Sequence, residues 1–126
     1  MDARLREGIR LFNAGRYFES HESLEDFYLH SSTEEHKPFL EGLIQIAAAL
    51  RLFSEFGEVK GPVRMVRQAL IRLENYQPNY LGVRVEKLTQ TLEAWAEETE
   101  ATEKIRKDSE PREAMPQISV KRFIFF

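Results

Sequence analysis

Hydrophobic positions are densest between Pro38 and Phe56, and this stretch predicts a buried central helix. At about 100° per residue, a surface helix shows one apolar stripe, whereas a helix that is apolar nearly all round is buried or spans a membrane. Here only a narrow polar edge remains, formed by Glu41, Arg51 and Glu55. A membrane span needs about 20 mostly apolar residues, and these charges interrupt the run, so the pattern favours a helix buried in protein.

Chain-breaking residues on either side give the limits of this helix. Pro38 fits only the first turn of a helix, and Gly57 is typical of the left-handed residue that ends one. Gly42 lies inside the helix and costs about 1 kcal/mol of helix stability relative to alanine, which predicts that another helix crosses there. A short turn over residues 33–36 is expected to precede the helix.

Amphipathic patterns predict four further helices, over residues 3–14, 17–30, 62–75 and from about residue 84. The connection between the first two is so short that they are expected to form an antiparallel hairpin, with Gly15 in a left-handed conformation. This hairpin resembles the helix pairs of tetratricopeptide repeats, although the chain shows no repeat of about 34 residues. Residues 75–82 combine turn-forming residues with two aromatics.

These segments predict an all-α fold, a single bundle of about five helices in which the helix over about 38–56 is buried. The bundle is expected to occupy residues 1–97. Residues 98–126 are expected to form a charged helix extension that ends before Pro111, followed by an apolar C-terminal tail. The tail, with Ile118, Val120 and Phe123 to Phe126, is expected to pair like a strand with the domain or a partner, because a free apolar tail would be a liability.

Two polar side chains of the second helix fall on its predicted buried side. Tyr17, Leu24 and Tyr28 define the middle of that side, with Phe27 on one flank and Phe18 and Leu29 on the other. Helical geometry places His21 and Glu25 within it, about 40° and 80° from Tyr17, and close enough to touch. Because a lone buried charge costs several kcal/mol, these groups are expected to face each other, water, a metal or a ligand.

Glu22 lies at the edge of the same side, and Gln45 makes a similar polar intrusion on the central helix. The functional interpretation is a candidate polar site between the two helices, made of His21, Glu22, Glu25 and Gln45. In this site His21 would be a general base or a metal ligand, oriented by Glu25. Glu22 would be a second acid, and Gln45 would anchor hydrogen bonds. The other interpretation is a satisfied network that only fixes helix register. The sequence leaves both open and identifies no catalytic residue.

The sequence predicts no metal site and no cofactor. Residues 21–25, HESLE, begin like the HExxH zinc motif but lack its second histidine, and two or three ligands do not complete a tetrahedral site. His30 and His36 lie near an exposed turn and are expected to be solvated. No glycine-rich phosphate loop or nucleophile elbow is present in the sequence.

Composition and charge narrow the class of protein. The chain has 126 residues, 42% of them hydrophobic, which is enough for one domain with a core. A net charge of -3 gives no general attraction to nucleic acid or to an anionic membrane, so neither is an expected partner. Cysteine is absent, which excludes disulfides. The charged N-terminus lacks the apolar core of a signal peptide, so a cytoplasmic protein is expected.

A short basic stripe on the predicted fourth helix consists of Lys60, Arg64 and Arg67. It could meet phosphate. An ordinary solvated face is the favoured interpretation, because the stripe is short, the net charge is negative, and an acidic segment is available to complement it. That segment contains Glu93, Glu97, Glu98 and Glu100.

Two motifs resemble a known family. They read FNxGxYFExHExLE at residues 12–25 and FLxGLIQxA at residues 39–47, with weaker matches at 69–74 and 81–83. Together they are similar to domain-of-unknown-function family 309, a mainly bacterial family of small helical proteins, over about residues 8–92. The resemblance implies an all-α bundle and brings no established activity. The family usually carries Trp at the position of Tyr28, so a pocket there would be altered in this chain, although still aromatic.

Two classes of function remain. The first is a non-enzymatic interaction or scaffold module, whose partner is another protein or a second copy bound through exposed apolar surface or the tail. The alternative is an enzyme or a binder of a small ligand or metal that uses the His/Glu cluster. Substrate, reaction and partner are not specified by the sequence.

Overall fold

The computed structural model describes residues 1–30, 33–105 and 115–121, and this part of the chain forms an all-α bundle, as predicted. Its helices are α1 (Ala3–Asn13), α2 (Tyr17–His30), α3 (Lys37–Phe56), α4 (Lys60–Leu73) and α5 (Val85–Ile105). Short 3-10 helices at Glu34–His36 and Glu74–Tyr76 precede α3 and follow α4. The predicted helix limits lie within about two residues of these bounds, a difference that is ordinary for helix ends.

The central helix is α3, which packs between α2 and α4. Its core side chains are fully buried: Phe39, Leu40, Leu43, Ile46, Ala47, Ala49 and Leu50. Each large apolar side chain buried in this way stabilises the fold by about 1.5–3 kcal/mol relative to exposure. The helix ends as predicted, with Gly57 at φ 72°. Phe56, which ends the stretch predicted to be buried, is 60% exposed at the last residue of the helix.

The hairpin of α1 and α2 is antiparallel, as predicted, and the two helices approach closely at Gly8. The side chain of Leu24 lies where a Cβ at Gly8 would be. Ser20 is fully buried, and its hydroxyl donates a 2.7 Å hydrogen bond to the carbonyl oxygen of Gly8. Gly15 has the expected left-handed conformation, with φ 80°. The likeness of the hairpin to tetratricopeptide pairs stays a prediction.

The rotation of α2 differs from the prediction. Its buried residues are Tyr17, Ser20, Leu24 and Phe27. This arc is centred on the side that contains the small Ser20, which the pattern of large apolar residues did not reveal. As a result Phe18, Leu29 and Glu25, which were placed on the buried side, are exposed.

A two-stranded antiparallel sheet connects α4 and α5, where only a turn was predicted. Its strands are β1 (Asn79–Tyr80) and β2 (Val83–Arg84), and the turn between them holds Leu81 and Gly82 at positive φ. The strands are two residues long, which is too short for an alternating pattern to show in the sequence.

The C-terminal segment packs against this sheet. Val120 forms an antiparallel bridge with Val83, and Ile118 is buried in the core. The predicted strand-like pairing of the tail with the domain is therefore confirmed for residues 118–121. Residues 122–126 and the predicted end of the charged helix before Pro111 lie outside the described residues, and the domain boundary at residue 97 stays a prediction.

Among the residues that the structure describes, no helix has both the length and the apolar character that a membrane span requires.

Two glycine substitutions test the close helix crossings. A Cβ at Gly8 would lie 2.6 Å from Cδ2 of Leu24, so Gly8→Ala is expected to lower the free energy of unfolding by about 1–3 kcal/mol. A Cβ at Gly42 would lie 3.1 Å from Cδ2 of Leu73, which confirms the predicted crossing there. That contact is tight, but the gain in helix propensity of about 1 kcal/mol offsets it, so Gly42→Ala should remain near wild type. Urea denaturation measures the free energy of unfolding of each variant. Equal stabilities of the two variants would contradict the crossing geometry.

Candidate functional site

The structure separates the four residues of the predicted polar site. Glu22 and Glu25 are exposed on α2, and His21 is half-buried beside them. Gln45 lies on α3 but faces α4, where its side chain bonds to Gln68 and Arg72. The structure therefore places His21, Glu22 and Glu25 on one side of α2 and does not bring Gln45 to them. Their role as a site stays a prediction.

We call the exposed surface formed by Phe18, His21, Glu22, Glu25 and Leu29 the α2 outer face. The spacing of 4, 3 and 4 residues from Phe18 to Leu29 places these side chains on one side of a helix. Phe18 is 46% exposed and Leu29 is 63% exposed, so two large apolar groups bracket the carboxylates. A face of this kind is apolar at both ends and acidic in the middle.

The carboxylates of the α2 outer face differ from their neighbours on the same helix. Glu19 forms an ion pair with Arg16, and Asp26 forms one with Arg4. Within the described residues, Glu22 and Glu25 make no hydrogen bond or ion pair, and neither does His21. These three groups are thus available to a partner or ligand.

Arg51 of α3 adds a cation at one end of this face. Its guanidinium carbon lies 4.6 Å from the ring centroid of Phe18 and 5.5 Å from that of Phe56. The same side chain pairs with Glu55 at 3.3 Å. Cation–π contacts of this type are worth about 0.5–1 kcal/mol at exposed sites, and they favour this orientation of the Phe18 ring.

Gln45 belongs to a different polar network, which links α2, α3 and α4. Tyr28 donates a 2.7 Å hydrogen bond to Glu41, and Arg72 contacts Glu41 at 3.6 Å and Gln45 at 2.7 Å. The hydrogen bond to Glu41 raises the pKa of Tyr28, with burial as a second cause. A network that fixes helix register was one interpretation of the polar residues, and this arrangement has that form without His21 or Glu25.

An aromatic cluster at the start of α3 was not predicted from the sequence. His36 was expected to be solvated, but it is half-buried, and a 2.6 Å hydrogen bond joins its Nδ1 to the hydroxyl of Tyr80. Phe39 and Tyr76 pack on Tyr80 with ring centroids 5.0 and 4.5 Å away. Burial raises the pKa of Tyr80, and the nearby charge of Glu35 adds to the shift. The two tyrosines of residues 75–82 were the available signal, but the sheet that brings Tyr80 to His36 was not predicted.

The structure also tests the predictions for His30 and for the basic stripe of α4. His30 is exposed, as expected. Arg67 of the basic stripe forms a 3.0 Å ion pair with Glu100, so the acidic segment does complement the stripe at this residue.

In the described part of the chain, no three His, Cys, Asp or Glu side chains lie close enough together to hold a metal ion.

The fold and the site define a small helical domain with an exposed, partly acidic and partly aromatic helix face. Residues 5–65, just under half of the chain, match the model of the family described as Domain of unknown function (DUF309). The match covers α1 to α3 and the beginning of α4.

One similar protein is an "Uncharacterized protein" from Aquifex aeolicus (strain VF5). It is 33% identical over 89 residues, which is 71% of this chain and 26% of the relative. The chain therefore spans about a quarter of the length of this relative. Neither the family nor the relative indicates a specific function.

Adjacent residues of α2 test the observed rotation of the helix. Ser20→Ala removes a buried hydrogen bond and should lower the free energy of unfolding by about 1 kcal/mol. His21→Ala removes a half-exposed side chain without a hydrogen bond in the described structure, so the expected change is below about 0.5 kcal/mol. Chemical denaturation of the two variants measures the difference. A larger loss for His21→Ala than for Ser20→Ala would show that α2 is rotated as the sequence pattern predicted.

The raised pKa of Tyr80 predicts a loss of stability at high pH. The unfolded phenol ionises near pH 10, at about its ordinary pKa, whereas the folded protein keeps the proton to higher pH. Below about pH 10 Tyr80 is protonated in both states, so it does not change the free energy of unfolding with pH. Above about pH 10 the unfolded state binds fewer protons than the folded state, so the free energy of unfolding falls as pH rises. Tyr80→Phe should reduce this fall above about pH 10, and should cost about 1 kcal/mol at pH 7 through loss of the bond to His36.

Urea unfolding at a series of pH values tests this. A residual slope is expected, because the pKa values of Tyr17 and Tyr28 are also raised. An unchanged slope in Tyr80→Phe would contradict the assignment.

Proposed function

We propose that this chain is a non-enzymatic protein-interaction module that binds its partner through the α2 outer face. The observation that carries the proposal is the combination of exposed Phe18 and Leu29 with unpaired carboxylates on one side of a single helix. A cytoplasmic setting and a protein partner, as the sequence predicts, are part of the proposal.

The surroundings of α2 suit docking. The helix is packed on one side against α1 and on another against α3, so its outer face is held rigidly. The ring of Phe18 is already oriented by Arg51, which reduces the conformational entropy lost on binding. Aromatic side chains are enriched in the centres of protein interfaces, and a few such anchors supply most of the binding energy.

Charge defines the chemistry of the partner. Phe18 and Leu29 are about 16 Å apart along the helix axis, with Glu22 and Glu25 between them. A complementary surface carries apolar residues at two ends and Lys or Arg in the middle. A second α2 placed antiparallel on this face would bring four carboxylates together, and such like-charge contacts cost several kcal/mol, so the partner is a different, basic surface.

The length of the Aquifex aeolicus relative supports a modular role. The matched region makes up about a quarter of that chain, so there the helical unit is joined to further polypeptide. A unit that docks to other protein surfaces fits such an arrangement.

The alternative is an enzyme or a binder of a small ligand or metal at His21, Glu22, Glu25 and Gln45. The unpaired state of His21 and its two acidic neighbours supports this alternative, whereas Gln45 bonds to Gln68 and Arg72 of α4. A thermal-shift screen against metals and small molecules separates the two functions. A compound that stabilises the wild type but not His21→Ala would favour the ligand-binding site.

Site-specific photo-crosslinking identifies the partner and then tests the face. A photoreactive amino acid replaces Glu22 in one variant and Ile71, which is 69% exposed on α4, in a control. The protein captured only through position 22 is then purified and its affinity measured directly. Phe18→Ser and the charge reversal Glu22→Lys should each weaken binding by about tenfold or more, since interface anchors typically contribute above 1.4 kcal/mol.

Matched variants control for general surface effects. Ile71→Ser removes an exposed apolar group elsewhere, and Glu93→Lys reverses an exposed charge on α5. Both should bind like wild type. Equal affinity of Phe18→Ser, Glu22→Lys and these controls would overturn the proposed docking face.

A further inference from the structure

The C-terminal segment pairs with β2 as a third strand, and its other edge faces away from the small sheet. The N–H of Arg84 donates to the carbonyl of Ser119 at 2.9 Å, and the N–H of Lys121 donates to the carbonyl of Gly82 at 2.8 Å. Main-chain groups of successive residues in a paired strand point to opposite edges. Because Ser119 and Lys121 bond toward β2, the N–H and carbonyl of Val120 between them point to the edge away from β2, which we call the outer edge.

Asn13, the last residue of α1, already fills one position of the outer edge. Its side-chain amide donates to the carbonyl of Ile118 at 2.9 Å, and its side-chain oxygen accepts from the N–H of Ile118 at 2.8 Å. In this way one asparagine satisfies the main chain of Ile118 as a neighbouring strand would. The outer edge is therefore a strand edge that is occupied at residue 118.

Val120 is the next position along the outer edge, about 7 Å from Ile118. In the described part of the chain, its N–H and carbonyl make no hydrogen bond. Val120 is 41% exposed and lines an open depression, so the edge is accessible there. A strand edge with free N–H and carbonyl groups is a template for pairing with an added strand.

Two cations lie beside this free position. Val83 and Val120 are opposite each other in the antiparallel bridge, so their side chains share the side of the sheet that faces the core. Arg84 and Lys121 alternate with them and therefore lie on the solvent side, where both are exposed and line the depression together with Ser119. Neither cation forms an ion pair among residues 1–30, 33–105 and 115–121.

We propose that the outer edge binds an extended acidic peptide of another protein, which adds a strand beside Val120. The peptide main chain pairs with the N–H and carbonyl of Val120, and its carboxylates lie toward Lys121 and Arg84. Lys121 is on the strand next to the peptide, whereas Arg84 is one strand farther away, by about 5 Å. Lys121 therefore contributes the larger share of the attraction.

Charge also decides against a second copy of this chain as the added strand. Two outer edges paired with each other would bring two copies of Arg84 and of Lys121 together, and such like-charge contacts are costly. The site does not rest on docking at the α2 outer face, whose proposed partner is basic.

Fluorescence anisotropy with labelled peptides and the full chain tests the site. The probe is a hexapeptide of alternating Glu and Val with blocked ends, and the control peptide carries Lys in place of each Glu. The acidic peptide is expected to bind at least about tenfold more tightly than the basic one. Equal affinities, or no binding of the acidic peptide at up to about 1 mM, would overturn the proposal.

A proline substitution tests the main-chain pairing. Val120→Pro removes only the N–H that points away from β2, and proline is tolerated on an edge strand in this orientation. The variant should bind the acidic peptide about tenfold more weakly, because one hydrogen bond is lost and the ring blocks the approach of the added strand. Val120→Thr keeps the N–H and the branched shape and should bind like wild type. Unchanged affinity of Val120→Pro would show that the peptide does not pair at this edge.

Neutral substitutions test the charges. Lys121→Gln should weaken binding by about twofold to fivefold, and Arg84→Gln by less. The matched control is Arg64→Gln, which removes an exposed cation of α4. Phe18→Ser of the α2 outer face is a second control, and both controls should bind like wild type. Equal affinities of Lys121→Gln and Arg64→Gln would contradict the role of Lys121.

Light scattering without peptide tests the choice of occupant. A monomer of 14.8 kDa is expected to leave the outer edge free for the peptide. A dimer that is lost in Val120→Pro would show that a second copy occupies the edge, and it would overturn the assignment to an acidic peptide.

Discussion

The close approach of α1 to α2 at Gly8 determines the rotation of α2, and the exposed surface depends on that rotation. Leu24 occupies the space that a side chain at Gly8 would need, and Ser20 bonds to the Gly8 carbonyl. With Ser20 and Leu24 directed at α1, the opposite side of α2 carries Phe18 and Glu22. A small polar residue thus decides where large apolar residues lie, because only a small side chain permits the backbones to come so close.

The helices were predictable because their signals are local. Gly15, Pro38 and Gly57 mark helix ends through their own backbone preferences, and the amphipathic spacing between them requires no knowledge of the rest of the fold. The rotation of α2 was not predictable in this way. The pattern counted large apolar side chains, so Phe18 and Leu29 appeared buried, whereas the actual contact is made through a serine and a glycine on facing helices.

In the candidate site, too, the grouping within one helix was predictable and the contacts between helices were not. His21, Glu22 and Glu25 were correctly grouped, since residues three and four apart share a side of any helix. Gln45 was grouped with them because it also interrupts an apolar surface, but its partners are Gln68 and Arg72 of α4, about 25 residues farther along the chain. The bond between His36 and Tyr80 was missed for a similar reason, because a short sheet brings together residues 44 positions apart. Long-range pairs of this kind leave no periodic trace in one sequence.

Helix α1 links the rotation of α2 to the C-terminal segment. Its middle sets the rotation of α2 through Gly8, and its last residue, Asn13, holds the C-terminal segment. The two contacts lie on different parts of α1, so the bound segment leaves the α2 outer face uncovered. A partner that docks on this face meets a helix whose rotation is already fixed by its contact with α1, which reduces the conformational entropy lost on binding.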